Sequence, residues 1–241
     1  VIDPTGLEAA DDWESLADLE KRGAEKLEEL KGEMEERRGK LSRDLTATYT
    51  YTSGTTGPPK AVIQTHGNML AMAESVDSLG MFNDQVREGG LFLFLPLAHS
   101  FGRLIELAGP FFGSPIVLSG VPTLVEDLEL SRPGFFPSAP RVYEKMKSKV
   151  ETAVAGAPPM RQKIFHWAIN TGKATIPYRS KGQDLPFFLG MQYSLADRLV
   201  LSKLRAALGF DRAHVLLSGS APLNVSVHEF FMCCGLDLLE A

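Results

Sequence analysis

The 241 residues are 44% hydrophobic and carry a formal net charge of −5, enough apolar material for one large domain or two small ones. An acidic chain whose bases are not interleaved with aromatic residues argues against nucleic-acid binding. Its longest uninterrupted apolar run, Leu91 to Ala98, is far short of the ~20 residues a membrane helix needs.

The charge is unevenly spread. Residues 8–44 hold thirteen acids and eight bases, which accounts for the whole deficit. From Arg141 to Arg212 there are thirteen bases and five acids. Such a face is either solvated, offsetting the acidic segment, or attracts anionic head groups or phosphates. The two cysteines, Cys233 and Cys234, are adjacent, so they cannot staple distant segments and offer no metal-ligand spacing. With no methionine at Val1 and a predicted strand running out at Glu240-Ala241, both ends read as cut. No basic stretch leading into an apolar run opens the chain, which predicts a cytoplasmic protein, with peripheral contact at a membrane left open.

From Trp13 to about Arg38, apolar residues at Leu16, Leu19, Leu27, Leu30 and Met34 predict one or two amphipathic helices, interrupted at Gly23, packed on a domain edge. Residues 1–44 are read as this acidic segment plus its link, and 45–241 as the core. Leu45 to Tyr51 and Ala61 to Gln64 read as strands. Thr65 is placed to cap a helix running to about Leu79, buried through Met69, Leu70, Ala73 and Val76. Gly90 to Ala98 reads as a fully buried strand of a parallel sheet. A helix over Phe101–Phe112, a strand over Pro115–Ser119, a helix from Thr123 to Arg132 and a strand over Phe135–Ser138 follow. Helices are then predicted over Arg141–Ala155, Met160–Thr175 and Met191–Leu208, with a loop at 177–190. The strand His214–Leu217, a sharp turn, the helix Val225–Cys234 and the strand Leu236–Glu240 complete the chain. This alternation predicts a layered α/β fold of mostly parallel sheets flanked by helices, joined by right-handed crossovers.

Tyr51 to Lys60, Tyr-Thr-Ser-Gly-Thr-Thr-Gly-Pro-Pro-Lys, is the stretch with the most chemistry. Gly54 and Gly57 permit backbone angles at which successive N–H groups converge on one anion. The hydroxyls of Thr52, Ser53, Thr55 and Thr56 add hydrogen bonds, and Lys60 supplies a compact charge. It is not a Walker A loop, because Pro59 stands where that motif has glycine.

The stretch resembles the phosphate-binding signature of the adenylate-forming superfamily, which includes acyl-CoA synthetases, luciferases and peptide adenylation domains; Ala61 replaces the glycine that usually follows the lysine. Four further segments resemble the same family in the same order. Phe94-Leu95-Pro96-Leu97-Ala98-His99-Ser100-Phe101-Gly102-Arg103 is similar to its second core block. Pro140-Arg141-Val142-Tyr143-Glu144-Lys145 is similar to the long-chain acyl-CoA synthetase branch. Ser218-Gly219-Ser220-Ala221-Pro222-Leu223 resembles the turn that borders adenine, and Leu238-Leu239-Glu240-Ala241 the approach to the family's Tyr-Gly-x-Thr-Glu.

The resemblance implies part of the large amino-terminal domain of an acyl-CoA synthetase, without the mobile carboxyl-terminal domain. It implies ATP-dependent activation of a long-chain fatty acid to an acyl-adenylate and then acyl-CoA, with ATP, Mg2+ and coenzyme A taking part. By that resemblance Thr52, Ser53, Gly54, Thr55, Thr56, Gly57 and Lys60 hold the ATP phosphates, and Thr55 or Thr56 assists Mg2+. Ser218, Gly219, Ser220, Ala221 and Pro222 flank the adenine. Lys60 and His99 are the catalytic candidates, His99 orienting the substrate carboxylate, and Phe101, Gly102 and Leu104 are acyl-pocket candidates. His99 lies just past a buried strand, where ligands bind in open parallel sheets. The family's later glutamate, ribose-binding aspartate and mobile-domain lysine lie beyond Ala241, so the chain alone is expected not to complete adenylation. Two alternatives remain open: a non-catalytic nucleotide- or acyl-binding module, and a ligase for another carboxylic acid.

Overall fold

The computed structural model describes residue 5, residues 13–52 and residues 58–241. The fold is a layered α/β arrangement around a five-stranded, wholly parallel sheet, with a separate two-stranded antiparallel hairpin.

Two helices open the described chain, α1 (Leu16–Glu25) and α2 (Leu27–Gly39). Ser15 caps α1 by accepting from the Asp18 N–H. The break falls at Lys26, not at the predicted Gly23, because one exposed glycine costs a helix about 1 kcal/mol without ending it. Neither helix buries a residue, so the predicted packing on a domain edge is absent among the described residues. Their solvated faces carry ion pairs such as Lys40–Glu36 at 2.6 Å.

The hairpin pairs β1 (Thr46–Thr52) with β2 (Lys60–Thr65). A capping box between Thr65 and Asn68 then starts α3 (His66–Ser78). Of its four predicted core residues only Ala73 is fully buried; the others are half-buried. A short helix that the periodicity missed, α4 (Asp84–Gly89), is capped by the Asn83 side chain.

The central strand β3 covers only Leu91–Leu93, not the predicted nine residues. Pro96 has no N–H to add to the ladder, and the chain turns there toward the next helix. The elements α5 (Ser100–Phe112), β4 (Ile116–Leu118), α6 (Leu124–Ser131) and β5 (Phe135–Ser138) follow close to the predicted places. Next come α7 (Pro140–Ala155) and α8 (Pro159–Arg179), which runs through Pro177 and past its predicted end. After it, α9 (Phe187–Ala196) passes through a π-helical turn, Asp197–Leu201, into α10 (Ser202–Ala207). The final elements are β6 (Val215–Ser218), α11 (Val225–Cys233) and β7 (Leu238–Glu240).

Sheet order is β4-β3-β5-β6-β7. Alternation along each strand divides two cores: Phe92, Phe136 and Leu216 face α6, α7 and α11, while Leu91, Leu93 and Phe135 face α5 and the Phe82 region. Tyr143 is fully buried in the first core, where its hydroxyl donates to the carbonyls of Phe136 (3.0 Å) and Leu217 (3.2 Å), tying β5 to β6. No described helix is long and apolar enough to cross a membrane.

The adjacent cysteines are free and buried. Burial, with Cys233 beside it, pushes the Cys234 thiol up to about 12, against an ordinary ~8.5. The thiolate is the reactive form, so iodoacetamide near pH 8 is expected to leave Cys234 unlabelled in the native chain and to label it in urea. Between about pH 8.5 and about 12 the unfolded chain releases a proton that the folded chain keeps. Stability from this thiol is therefore complete below that window and falls as pH rises through it, and rapid native labelling of Cys234 would contradict the burial.

Candidate active site

The hairpin presents the phosphate-loop candidates at its open end. Thr52 and Lys60 face each other as the last strand pair, and the Thr52 hydroxyl donates to the Lys60 carbonyl (3.3 Å). Ser53, Gly54, Thr55, Thr56 and Gly57 lie outside the described residues. Lys60 is exposed, and among the described residues its ammonium has no ion pair. Ala61, the departure from the family signature, pairs with Tyr51 as an ordinary exposed strand residue. At its other end the hairpin shares a crevice of about 290 Å³ with α5, lined by Ala47, Thr48, Arg103 and Leu107 among others.

A second cluster forms at the carboxyl edge of the parallel sheet. Strand register sets Ser138, Ser218 and Glu240 side by side. The turn after β6 is fastened at three points. The Gly219 N–H donates to the Ser138 carbonyl (3.1 Å), the Ala241 N–H to the Ser218 carbonyl (2.9 Å), and the Leu223 N–H to Glu240 Oε1 (2.9 Å). Ser220 takes a left-handed φ of 71°, which a non-glycine residue adopts at a cost of about 1–3 kcal/mol when its surroundings enforce it. The Ser218 hydroxyl is fully buried and has no hydrogen-bond partner among the described residues. A buried polar group without a partner calls for an explanation, and the carboxyl edge of an open parallel sheet is where ligands bind.

The start of α5 reaches this turn. His99 is its N-cap residue, exposed, with its backbone N–H donating to the Pro96 carbonyl (3.0 Å) and its side chain free of any cap bond. A Cβ placed on Gly219 would stand 3.3 Å from the Phe101 ring, so the glycine is what lets the aromatic edge lie against the turn. Gly102 is buried, and a Cβ there would collide with the Pro96 carbonyl. Its absence seats α5 against the loop from β3. Leu104 lines an apolar cavity of about 110 Å³ together with Ala73, Ile105, Phe112, Leu217 and Ala241.

The structure thus brings Phe101, two residues after His99 on the same helix, to Gly219 of the Ser218–Pro222 turn, while Gly102 meets the Pro96 carbonyl. No described hydrogen bond or ion pair joins Thr52 or Lys60 to that cluster. Among the described residues no group of three or more His, Cys, Asp or Glu side chains could hold a metal ion. Three contributors were given no role of their own by the sequence reading. Ser138 and Glu240 act through strand register and fasten the turn, which single-chain periodicity does not reveal. Tyr143 was noticed only within a family block, although a tyrosine on a buried helix face needs a partner for its hydroxyl.

A parallel α/β sheet with a fastened Ser-Gly-Ser turn at its carboxyl edge has the architecture in which ligands bind at that edge. The family model described as AMP-binding enzyme matches residues 4–240, and the chain belongs to that family. It is 34% identical over 206 residues to the long-chain-fatty-acid–CoA ligase ACSBG2 of Rattus norvegicus, covering 80% of this chain and 30% of the relative. It is 36% identical over 198 residues to the peroxisomal acyl-CoA ligase 891 of Penicillium roqueforti, covering 80% and 27%. The chain therefore spans between a quarter and a third of these relatives' length. Among solved structures, VinN in complex with L-aspartate matches with a TM-score of 0.51 at 15% identity, over 83% of this chain and 37% of that one. That likeness concerns the fold.

Proposed function

We propose that this chain forms part of the nucleotide- and acyl-handling core of a long-chain fatty acid–CoA ligase, which joins a fatty carboxylate to AMP and then transfers the acyl group to coenzyme A. The observation that carries the reading is the seating of Phe101 on Gly219, which sets the His99-led helix beside the fastened turn and its unpartnered Ser218 hydroxyl. The names of the relatives supply the acid class.

In this reading the fatty carboxylate attacks the α-phosphorus of ATP, and pyrophosphate leaves with the electron pair of the broken P–O bond. Positioning and charge neutralisation carry such chemistry. Thr52, the loop residues Ser53 to Gly57 and Lys60 hold the β- and γ-phosphates, and Ser218 to Pro222 border the adenine. His99 orients the carboxylate, which is already ionised near neutrality and needs no base. A Thr55 or Thr56 hydroxyl would help to hold Mg2+, which would supply neutralisation of phosphate charge. The thiol of coenzyme A then displaces AMP from the mixed anhydride. The apolar cavity beside Leu104, with Ala241 in its lining, supports an acyl pocket in this region. Peripheral contact with a membrane belongs to the same reading, supported by exposed Phe187 and Phe188, at 73% and 79%, on a helical layer with excess base. Vesicle binding indifferent to salt would count against its electrostatic part.

The deciding experiment is ATP–pyrophosphate exchange by the protein that contains this chain, with octanoate, dodecanoate, hexadecanoate and benzoate as acids. Exchange rising with chain length is expected; exchange with benzoate alone, or none with any acid, overturns the assignment.

A further inference from the structure

A large cavity lies on the other side of the sheet from Leu104. It has a volume of about 760 Å³, within the ~300–1,000 Å³ typical of small-molecule sites. Its walls come from α6, α7, α8, the π-helical turn and α10, through residues such as Leu128, Met146, Val150, Phe165, Val200 and Leu204. These elements pack on the core face that holds Phe136 and Tyr143, whereas α5 and its cavity occupy the opposite face. The lining residues of α7 belong to its later turns, 146–154, past the Pro140 end that meets the sheet's carboxyl edge. The cavity is thus separate from the candidate active site.

Its charged lining is mostly basic. Lys149, Arg161 and Lys203 are all exposed, so their charges stand at the rim, and none has an ion pair among the described residues; Glu129 is the sole acid in the lining. Lysine and arginine keep their heads in water while their stems extend apolar walls. An apolar trough edged by three unpaired cations complements a molecule with a long hydrocarbon body and an anionic head. A neutral lipid would leave the cations unused, and a compact anion would leave the trough wet.

We infer that this cavity is a second ligand site, one that binds a single-chain anionic amphiphile: a long-chain carboxylate or the corresponding acyl thioester of coenzyme A. The inference goes beyond the proposed ligase activity and does not require it. In a ligase, occupancy here would let the amount of substrate or product be sensed away from the reacting atoms.

The test uses the whole chain and a hexadecanoate carrying a photoreactive diazirine on its hydrocarbon tail, kept below its aggregation concentration, with labelled peptides mapped by mass spectrometry. Labelling is expected within residues 146–165 and 199–208. Ala153→Trp fills the trough from an exposed position and should abolish that labelling. The triple variant Lys149→Glu, Arg161→Glu, Lys203→Glu should weaken hexadecanoate about tenfold and leave hexadecanol unchanged. Both variants alter exposed positions, and circular dichroism verifies their folding. Competition by hexadecanoyl-CoA at lower concentration than hexadecanoate assigns the thioester as ligand, and the reverse order assigns the acid. Labelling confined to α3 and α5, or insensitive to both variants, overturns the site. Loss of labelling here with exchange intact removes only this inference; labelling here without exchange removes only the ligase reading.

Discussion

Lys60→Ala is expected to weaken ATP binding about 10- to 100-fold while changing AMP affinity by less than twofold. The asymmetry follows from the proposed placement of the ammonium on the β- and γ-phosphates, which AMP lacks. A hydrogen bond to a charged group contributes about 1.5–3 kcal/mol, and 1.4 kcal/mol is a factor of ten in affinity. Lys60 is exposed and has no ion pair among the described residues, so its removal leaves no buried charge behind. Lys60→Arg keeps the charge but trades a compact ammonium for a planar fork, and is expected to restore binding only in part. The measurement is titration of each nucleotide by calorimetry with magnesium present. Equal losses for ATP and AMP would place Lys60 elsewhere than on the outer phosphates.

Gly172→Ala is expected to cost about 3 kcal/mol of stability. Gly172 is buried where α8 crosses the end of α11, and an added methyl would fall inside the contact distance of the Cys233 carbonyl. The obstacle is backbone, which cannot rotate aside as a side chain can. Neighbouring bonds fix the crossing further: Arg179 donates to the Met232 carbonyl (2.9 Å) and pairs with Asp237 at 2.6 Å. Overpacking a close contact costs about 1–3 kcal/mol, and in a domain of this size 1 kcal/mol is about 2–4 °C in melting temperature. A fall of roughly 6–12 °C is therefore expected. Gly32→Ala in α2, with nothing within 4 Å, serves as the comparison and is expected to leave melting unchanged or slightly raised. If both substitutions behaved alike, the tight crossing would be wrong.

What the sequence conveyed about this molecule followed the range of the interactions involved. The hairpin around Tyr51–Lys60, the Thr65 cap and the turn at Ser218 rest on residues close together in the chain, and their chemistry is written locally. Strand β3 was overextended because an apolar run signals burial without saying where pairing stops; Pro96 was the local sign. Helix α4 was overlooked although Asn83 and Asp84 make a good start, because six residues are too few for periodicity to register. Gly172 drew no notice and Gly102 was read only as an acyl-pocket candidate, since the close-packing role of each lies in the backbone that passes it. The same applies to Glu240, whose partner is the N–H of Leu223, seventeen positions away and on a different element. Family likeness supplied the roles of Lys60 and His99; the spacing of residues could not.

The five-residue π-helical turn between α9 and α10 has a consequence for how this surface tolerates change. A wider turn of this kind holds one residue more than an α-helical path needs, so deleting Val200 would return the segment to regular pitch. Because the widened turn already absorbs the extra residue, the helix upstream would keep its bearing relative to α10, whereas the same deletion within a regular α-helix rotates one side by about 100° and shifts it by about 1.5 Å. Phe187, Phe188 and Met191 would stay where they are, although the segment had lost a residue. This joint is therefore where the segment tolerates a change of length, and a deletion on either side of it is what would re-aim the outer helices.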